Sequence, residues 1–425
     1  MKSFSQSRRR FLEAGAAGAA LGLSGCAAMS GAAPKARVAV VGGGFGGATA
    51  AKYIRMLDPQ IEVVLIEPND AFVSCPLSNL VLGGFMTLAD LTTPYASLGA
   101  RHGVKWVKDT ATAIDVEGRQ VRLAKGDSVP FDRVIVAPGI DFMWEQLPAM
   151  GSADAQARVL HAWKAGPQTV ALRRQLEAMP DGGVYVLSIP EAPYRCPPGP
   201  YERACQVAAY FKARKPRSKV LLLDANADVT SKGPLFKKAW AELYKDLIEY
   251  RPNSKAVDVD AGASSVKLEF GDVKGNVINV LPPMKAGAIA APFITANKRW
   301  CEVDWLTYES KAVKGVHVLG DSLLPAALMP KSATMANGHG KACAAAVVAL
   351  LQGGAPNESP TLVNTCYSMV SEKLAIHVAS VHKYDTKDRT MKTVPGAGGV
   401  SAAMNETEGA YTMNWARNIW ADTLG

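Results

Sequence analysis

Apolar residues fall into two kinds of stretch along this chain. Arg37-Val38-Ala39-Val40-Val41, Glu62-Val63-Val64-Leu65-Ile66, Arg133-Val134-Ile135-Val136, Gly183-Val184-Tyr185-Val186-Leu187 and Lys219-Val220-Leu221-Leu222-Leu223 are short runs rich in β-branched residues, which predicts strands. A helical stretch follows the first of them through Leu57, and Ala342 to Leu351 forms an apolar run too short to span a bilayer, which predicts a buried helix. Strands alternating with helices predict an α/β protein, and its 425 residues suggest about two to three domains.

The N-terminus departs from that rhythm. Ser7-Arg8-Arg9-Arg10-Phe11-Leu12 precedes a soft run of small apolar residues from Ala14 to Ala28 without a helical face, and a plausible cleavage region lies near Ala32-Ala33. This resembles a twin-arginine export signal over residues 1–33. It predicts a periplasmic protein that folds around its cofactor before leaving the cytoplasm. Leu23-Ser24-Gly25-Cys26 also resembles a lipoprotein cleavage box, so lipidation at Cys26 stays open.

With 48% hydrophobic and 20% charged residues the composition is that of a packed globular protein, which excludes disordered and fibrous classes. The net charge of +9 is spread without long Lys/Arg runs or interleaved aromatics. That argues against nucleic-acid binding and leaves docking onto an acidic protein surface open. The six histidines show no ligand spacing, and no metal site is expected.

The chemistry starts where the first strand ends. Gly42-Gly43-Gly44-Phe45-Gly46-Gly47 follows that strand and leads into a helix. Gly42 allows the turn, Gly44 lets the backbone approach a pyrophosphate, and Gly47 permits close helix packing, with the helix N-terminus facing the phosphates. A second strand ends in Glu67, where a carboxylate accepts hydrogen bonds from ribose hydroxyls. Phe131 to Gly139 and Gly315 to Asp321 resemble the later strand-and-turn motifs of flavoproteins with two dinucleotide-binding domains. In those proteins the aspartate, here Asp321 after Gly320, binds the flavin ribitol. Three motifs in this order point to FAD.

A second nucleotide unit would need its own glycine loop. After Gly183-Val184-Tyr185-Val186-Leu187-Ser188 the chain reads Ile189-Pro190-Glu191-Ala192-Pro193-Tyr194-Arg195-Cys196-Pro197-Pro198-Gly199-Pro200-Tyr201-Glu202. Prolines remove donors from the loop that should cradle a pyrophosphate, so NAD(P)H is not expected there. Spacing leaves the cysteines open. Cys196 and Cys366 form a stapling disulfide with Cys75 a buried small hydrophobe, or they take part in chemistry. No C-x-x-C-H occurs, so a haem belongs only to a partner.

Together these motifs resemble the flavoprotein subunit of flavocytochrome c sulfide dehydrogenase. Its marks are Gly42 to Gly47, Ser74-Cys75-Pro76-Leu77-Ser78-Asn79, Pro193 to Arg203, Gly320-Asp321, Met329-Pro330-Lys331-Ser332 and Asn364-Thr365-Cys366-Tyr367-Ser368. The resemblance implies a glutathione-reductase-like fold of two Rossmann-like domains plus a C-terminal segment. The expected division is FAD-binding residues 35–141 and 282–352, a degenerate second nucleotide domain at 142–281, and residues 353–425 at the flavin or partner face. It further implies FAD attached through its 8α-methyl to Cys75, a redox disulfide between Cys196 and Cys366, and Glu202 managing protons. Hydrosulfide would open the disulfide to a persulfide and a thiolate. Two electrons would enter FAD, sulfur would leave as polysulfide or elemental sulfur, and a c-type cytochrome would take the electrons. Arg195 and Lys331 attract the anion or stabilise reduced flavin, or are solvated charges. Tyr411, Trp415 and Trp420 are expected to pack or to meet a partner. Two other readings stay open. One is a sulfide:quinone oxidoreductase. The other is an electron-transfer flavoprotein in which Cys196 and Cys366 are only a staple.

Overall fold

The computed structural model describes residues 34–295 and 297–425. The export signal and Cys26 lie outside the described residues. Five strands, Val316–Val318, Arg133–Val136, Ala36–Val41, Ile61–Ile66 and Lys105–Val107, lie in that order in one wholly parallel sheet. Their apolar runs are continuous because both faces are covered. All six residues of Ile61–Ile66 but Glu62 are buried, as are Val38 to Val41.

Against one face lies the helix Phe45–Leu57, crossed by the helix Ala333–Leu351. The crossing is close because two glycines meet in it. A Cβ on Gly340 would stand 2.5 Å from the Gly46 carbonyl oxygen.

A second parallel sheet, in the order Ile248–Arg251, Lys219–Asp224, Val184–Ile189, Val277–Val280, carries the helix Gly199–Arg214. One apolar core runs through both sheets, joining Val40 and Leu65 of the first to Leu187 and Leu222 of the second. The C-terminal region is an antiparallel sheet of Thr361–Met369, Ala375–Asp385 and Thr390–Val400, followed by the helix Glu406–Leu424. Apolar periodicity in that helix is faint because its buried face consists largely of small residues, Gly409, Thr412, Ala416 and Thr423, with Ile419 and Leu424. Gly409 is required there, since a Cβ would fall 1.8 Å from the Lys373 carbonyl oxygen. Polar ties replace apolar ones at its far end. The Lys52 ammonium donates to the carbonyls of Ala421 and Asp422 at 3.1 and 3.0 Å, and Asn337 donates to the Asp422 carboxylate at 2.8 Å. Among the described residues no helix is long and apolar enough to cross a membrane.

The position of Gly340 leads to an expectation for stability. Gly340→Ala should force the two helices apart at a cost of about 1–3 kcal/mol. Thermal denaturation would register this as a lower Tm, and an unchanged Tm would show that the crossing relaxes freely.

Candidate functional site

Every strand of a parallel sheet runs the same way, so the segments that follow them emerge along one edge. Gly42 follows Val41, Glu67 follows Ile66, Ala137 follows Val136 and Leu319 follows Val318. These four residues stay in step through Gly42 N–H to Ile66 O at 3.0 Å, Glu67 N–H to Val107 O at 3.1 Å, Ala137 N–H to Val41 O at 2.8 Å and Leu319 N–H to Val136 O at 3.2 Å. Along that edge runs a cleft with a cavity of about 420 Å³, reaching from Gly42, Gly44 and Glu67 past Gly139, Gly320 and Asp321 to Cys75, Cys196 and Cys366. It brings together the site residues expected from sequence except Gly47, which supports the turn from behind, and Lys331, which donates to the Asp321 carbonyl.

The glycine end fits a dinucleotide. Gly42 takes φ +99°, a conformation open to glycine. A Cβ on Gly47 would collide with the Gly42 carbonyl oxygen at 1.9 Å, whereas one on Gly44 would meet nothing within 4 Å. The backbone at Gly44 therefore faces open cleft. The helix begins at Phe45 with no side chain capping it, leaving its first N–H groups for an anion. Glu67 accepts Gly43 N–H at 2.8 Å on one oxygen and the Asn69 N–H and amide at 3.0 and 2.6 Å on the other. Asp321 lines the cleft, where burial raises its pKa and Arg195 and Lys331 pull it back. The residues present thus match the phosphate, ribose and ribitol portions of FAD.

Cys75 stands on the cleft wall after the strand Ala71–Val73. Its Sγ accepts Ala165 N–H at 3.4 Å, and its thiol reaches the Trp163 carbonyl at 3.9 Å. Behind this wall is Arg203, 2% exposed, with no carboxylate of its own. Its guanidinium donates to Asn79 Oδ1 at 3.0 Å, Asn279 Oδ1 at 2.8 Å and the carbonyls of His161 and Ala162 at 2.8 and 2.6 Å. Its guanidinium carbon also lies 4.8 Å from the centre of the Trp163 ring. Neutral oxygens thus satisfy its donors while leaving its charge to act on the cleft.

Cys196 and Cys366 are both partly exposed and both line the cleft; each stands as a free thiol, so the structure describes the reduced form of the expected pair. Cys196 has φ +58°, strained for a residue with a side chain. It is fixed there by its N–H to Lys331 O at 2.9 Å. It lies three residues before the helix Gly199–Arg214, and Gly199 makes room, since a Cβ there would lie 2.8 Å from the Cys196 sulfur. Cys366 belongs to the strand Thr361–Met369, gripped by Thr334 Oγ1 donating to Thr365 O at 2.8 Å and by Lys232 Nζ donating to Cys366 O at 2.9 Å. The segment Lys331 to Thr334 therefore ties down both cysteines. Burial raises the pKa of both thiols. Cys366 and Glu202 raise that of Cys196 further, while Arg195 and Lys232 oppose the rise; at Cys366 Lys232 opposes burial and Glu202 adds to it.

Glu202 is buried against this pair, not on a helix surface. Its carboxylate accepts Asn79 Nδ2 at 2.8 Å and Met369 N–H at 2.7 Å. Burial nevertheless raises its pKa, with those two donors, Lys232 and Arg203 acting against the rise. Lys331 is likewise no solvated charge. It is 5% exposed, lies 3.6 Å from the centre of the Trp300 ring and donates to the carbonyls of Asp321 and Leu323. Burial pushes its pKa down to about 7. His339 is buried too. Among the described residues no cluster suits a metal ion.

In the second parallel sheet, Asp224 ends the strand Lys219–Asp224, the counterpart of Glu67 in the first. One of its oxygens accepts the Tyr201 and Tyr250 hydroxyls at 2.7 and 3.0 Å. The other accepts the Asn226 N–H and amide at 2.9 and 2.7 Å. Four donors of the chain itself thus engage this carboxylate.

Sequence reasoning missed Trp163, Arg203 and Lys232. Nothing in the residues flanking Arg203 or Lys232 marks a buried role. Trp415, expected as packing, lines the cleft with Tyr367, their ring centres 6.2 Å apart.

Profiles of known families match most of the described chain. Residues 36–174 match the pyridine nucleotide-disulphide oxidoreductase family, 169–282 the central part of the sulfide dehydrogenase (flavocytochrome c) flavoprotein chain, and 358–424 the flavin-binding part of flavocytochrome c sulphide dehydrogenase. The sulfide dehydrogenase (flavocytochrome c) flavoprotein chain of Chlorobaculum thiosulfatiphilum is 69% identical over 45 residues, 11% of this chain and 94% of that sequence. Mouse mitochondrial sulfide:quinone oxidoreductase is 24% identical over 309 residues, and the alignment covers 67% of this chain and 65% of the mouse protein. This chain therefore spans just under two thirds of the mouse protein. Among solved structures, the sulfide:quinone oxidoreductase of Aquifex aeolicus superposes with TM-score 0.73 at 16% identity, covering 91% of each chain. Putidaredoxin reductase in its putidaredoxin complex superposes at 0.65 and 16% identity, covering 90% of this chain and 93% of that one. At such identities these two structures speak for the fold, and the expected α/β disulfide-oxidoreductase fold is the one found. The flavin-binding and central profiles, with the near-complete match to the Chlorobaculum sequence, go further: the chain belongs to the family of flavoprotein chains of flavocytochrome c sulfide dehydrogenase.

Proposed function

We propose that this protein oxidises hydrosulfide at a Cys196–Cys366 disulfide, passes two electrons to FAD held covalently by Cys75, and yields them to a c-type cytochrome partner in the periplasm. One observation carries the reading. Cys196, Cys366 and Glu202 share a cleft with the dinucleotide cradle and with Cys75.

Hydrosulfide forms a bond to one sulfur of the pair while the Cys196–Cys366 bond breaks, leaving a persulfide on one cysteine and a thiolate on the other. A second hydrosulfide carries the outer sulfur away as a disulfane, and both cysteines are left reduced. Closing the disulfide again releases the two electrons. FAD, when bound, supplies a two-electron acceptor that can release electrons singly, as a haem partner requires. Glu202 takes the proton shed at the sulfurs, and a pKa raised by burial makes it a stronger base than a solvated carboxylate. Arg195 and Lys232 oppose burial at Cys196, which favours the thiolate that each exchange step needs. The prolines of the loop before Gly199 remove backbone donors where a pyrophosphate would need a cradle, which speaks against NAD(P)H as the donor. The resemblance of residues 1–33 to a twin-arginine signal supports an oxidising compartment, in which a disulfide persists between turnovers.

Three outcomes are expected. Acid-precipitated, washed protein should keep its yellow colour, and the flavin should travel with the Cys75 peptide in mass analysis. Cys75→Ser should release it, and flavin freed from the unaltered protein would break the covalent assignment. Cys366→Ser should retain FAD yet lose sulfide-dependent flavin bleaching in stopped flow, with cytochrome c and a soluble quinone compared as acceptors. Unchanged bleaching would leave the two cysteines as a staple. Glu202→Gln should slow bleaching about 100-fold. It should also remove from the rate profile a group titrating above the ordinary carboxylate range. Activity gained through that group should grow as pH rises past its raised pKa and the carboxylate forms, and a profile identical to that of the unaltered protein would end the assignment.

A further inference from the structure

Lys232 is a charged group at the reacting pair for which the family's marks leave no role. It precedes the helix Gly233–Leu243 with φ +57°, and its side chain is 7% exposed. From the second-sheet region its ammonium reaches the C-terminal strand, donating to Cys366 O at 2.9 Å and Ser368 Oγ at 2.8 Å. Phe236, on its own helix, faces it at 5.8 Å.

Burying an ammonium is costly unless negative charge balances it. Both of these acceptors are neutral. The acidic groups facing Lys232 from neighbouring elements are the Cys366 and Cys196 thiols, Glu202 and, more weakly, Glu408. Arg195 acts on Cys196 and Arg203 on Glu202. Glu202 already has its two oxygens engaged by Asn79 and Met369, and Glu408 is bonded to His377 and Ser401 at 2.9 and 2.6 Å. Neither carboxylate bonds to the Lys232 ammonium, which is held instead on the backbone of Cys366, and the acidic group that acts on it most is the Cys366 thiol. Among the described residues Lys232 is also the one cation acting on Cys366.

We propose that Lys232 is a positioning residue that clamps Cys366 through its carbonyl and holds beside it the positive charge that stabilises its thiolate. When a nucleophile opens the pair at Cys196, a new bond forms to the Cys196 sulfur. The electron pair of the broken bond stays on the Cys366 sulfur, next to that charge. The inference rests on the reading of Cys196 and Cys366 as the reacting pair, and it concerns a property that Cys366 has whether or not the pair turns over.

The test uses the FAD-loaded protein and follows iodoacetamide alkylation of the Cys366 peptide by mass, as a function of pH, after reduction. Lys232→Met removes charge and clamp, while Lys232→Gln removes the charge and keeps a donor for the Cys366 carbonyl. Both should slow alkylation at neutral pH about tenfold or more and move the midpoint of the profile upward by at least about one pH unit, with the flavin spectrum unchanged. Lys232→Gln decides the matter even if the Met variant fails to fold. A Gln variant with the profile of the unaltered protein would reduce Lys232 to a clamp and overturn the proposal. The unreduced protein separates the two readings: alkylation of both cysteines without reductant would sink the disulfide, while the shift at Cys366 in the reduced protein stands or falls on Lys232 alone.

Discussion

Parallel strands must all end on the same side, and in this protein that constraint makes the site. Four segments separated by as much as most of the chain become neighbours because each follows a strand of one sheet, at a strand spacing of about 4.8 Å. Backbone bonds between successive strand ends, such as Ala137 N–H to Val41 O, fix the spacing without help from any side chain. Once the edge exists, the side chains have only to be of the right type: a glycine where a Cβ would strike a carbonyl, an acid where a ribose lies, an aspartate past the last strand.

The cysteine end follows another logic, that of charge removed from water. Burial acts there in the direction of neutrality, lifting Glu202, Cys196 and Cys366 and lowering Lys232, Arg203 and Lys331. The cations are held by neutral oxygens of backbone and amide, as Arg203 is by Asn79, Asn279 and two carbonyls. Fixed positive charge therefore stands beside the sulfurs of Cys196 and Cys366. Such preorganisation favours the charged state without any group having to move.

Much of the cradle was legible because its requirements are local. Gly42, Gly44, Gly47 and Glu67 each answer to a conformation or contact within a short span, and residue type records it. Asp321 was legible through the strand before it. The buried states of Glu202 and Lys331 were not, because exposure depends on what arrives from elsewhere: Met369 lies 167 residues from the Glu202 carboxylate it bonds. Arg203, Lys232 and Trp163 were silent for the same reason. The helix Glu406–Leu424 escaped notice through its small residues, whose packing rests on close backbone approach and polar ties and leaves little apolar rhythm to read.

The bond from Lys52 to the carbonyl of Asp422, 370 residues away, carries a consequence for biosynthesis. The helix that opens the dinucleotide cradle is backed by Ala333–Leu351 and by residues 421–423, and its sheet lacks an outer strand until Val316–Val318 has been made. During translation the N-terminal third therefore leaves the ribosome with apolar faces uncovered and its Lys52 ammonium unmatched. Cofactor loading must wait on residues synthesised last, so a truncated polypeptide would betray itself to the cell's folding surveillance through the very element that announces a finished cofactor site.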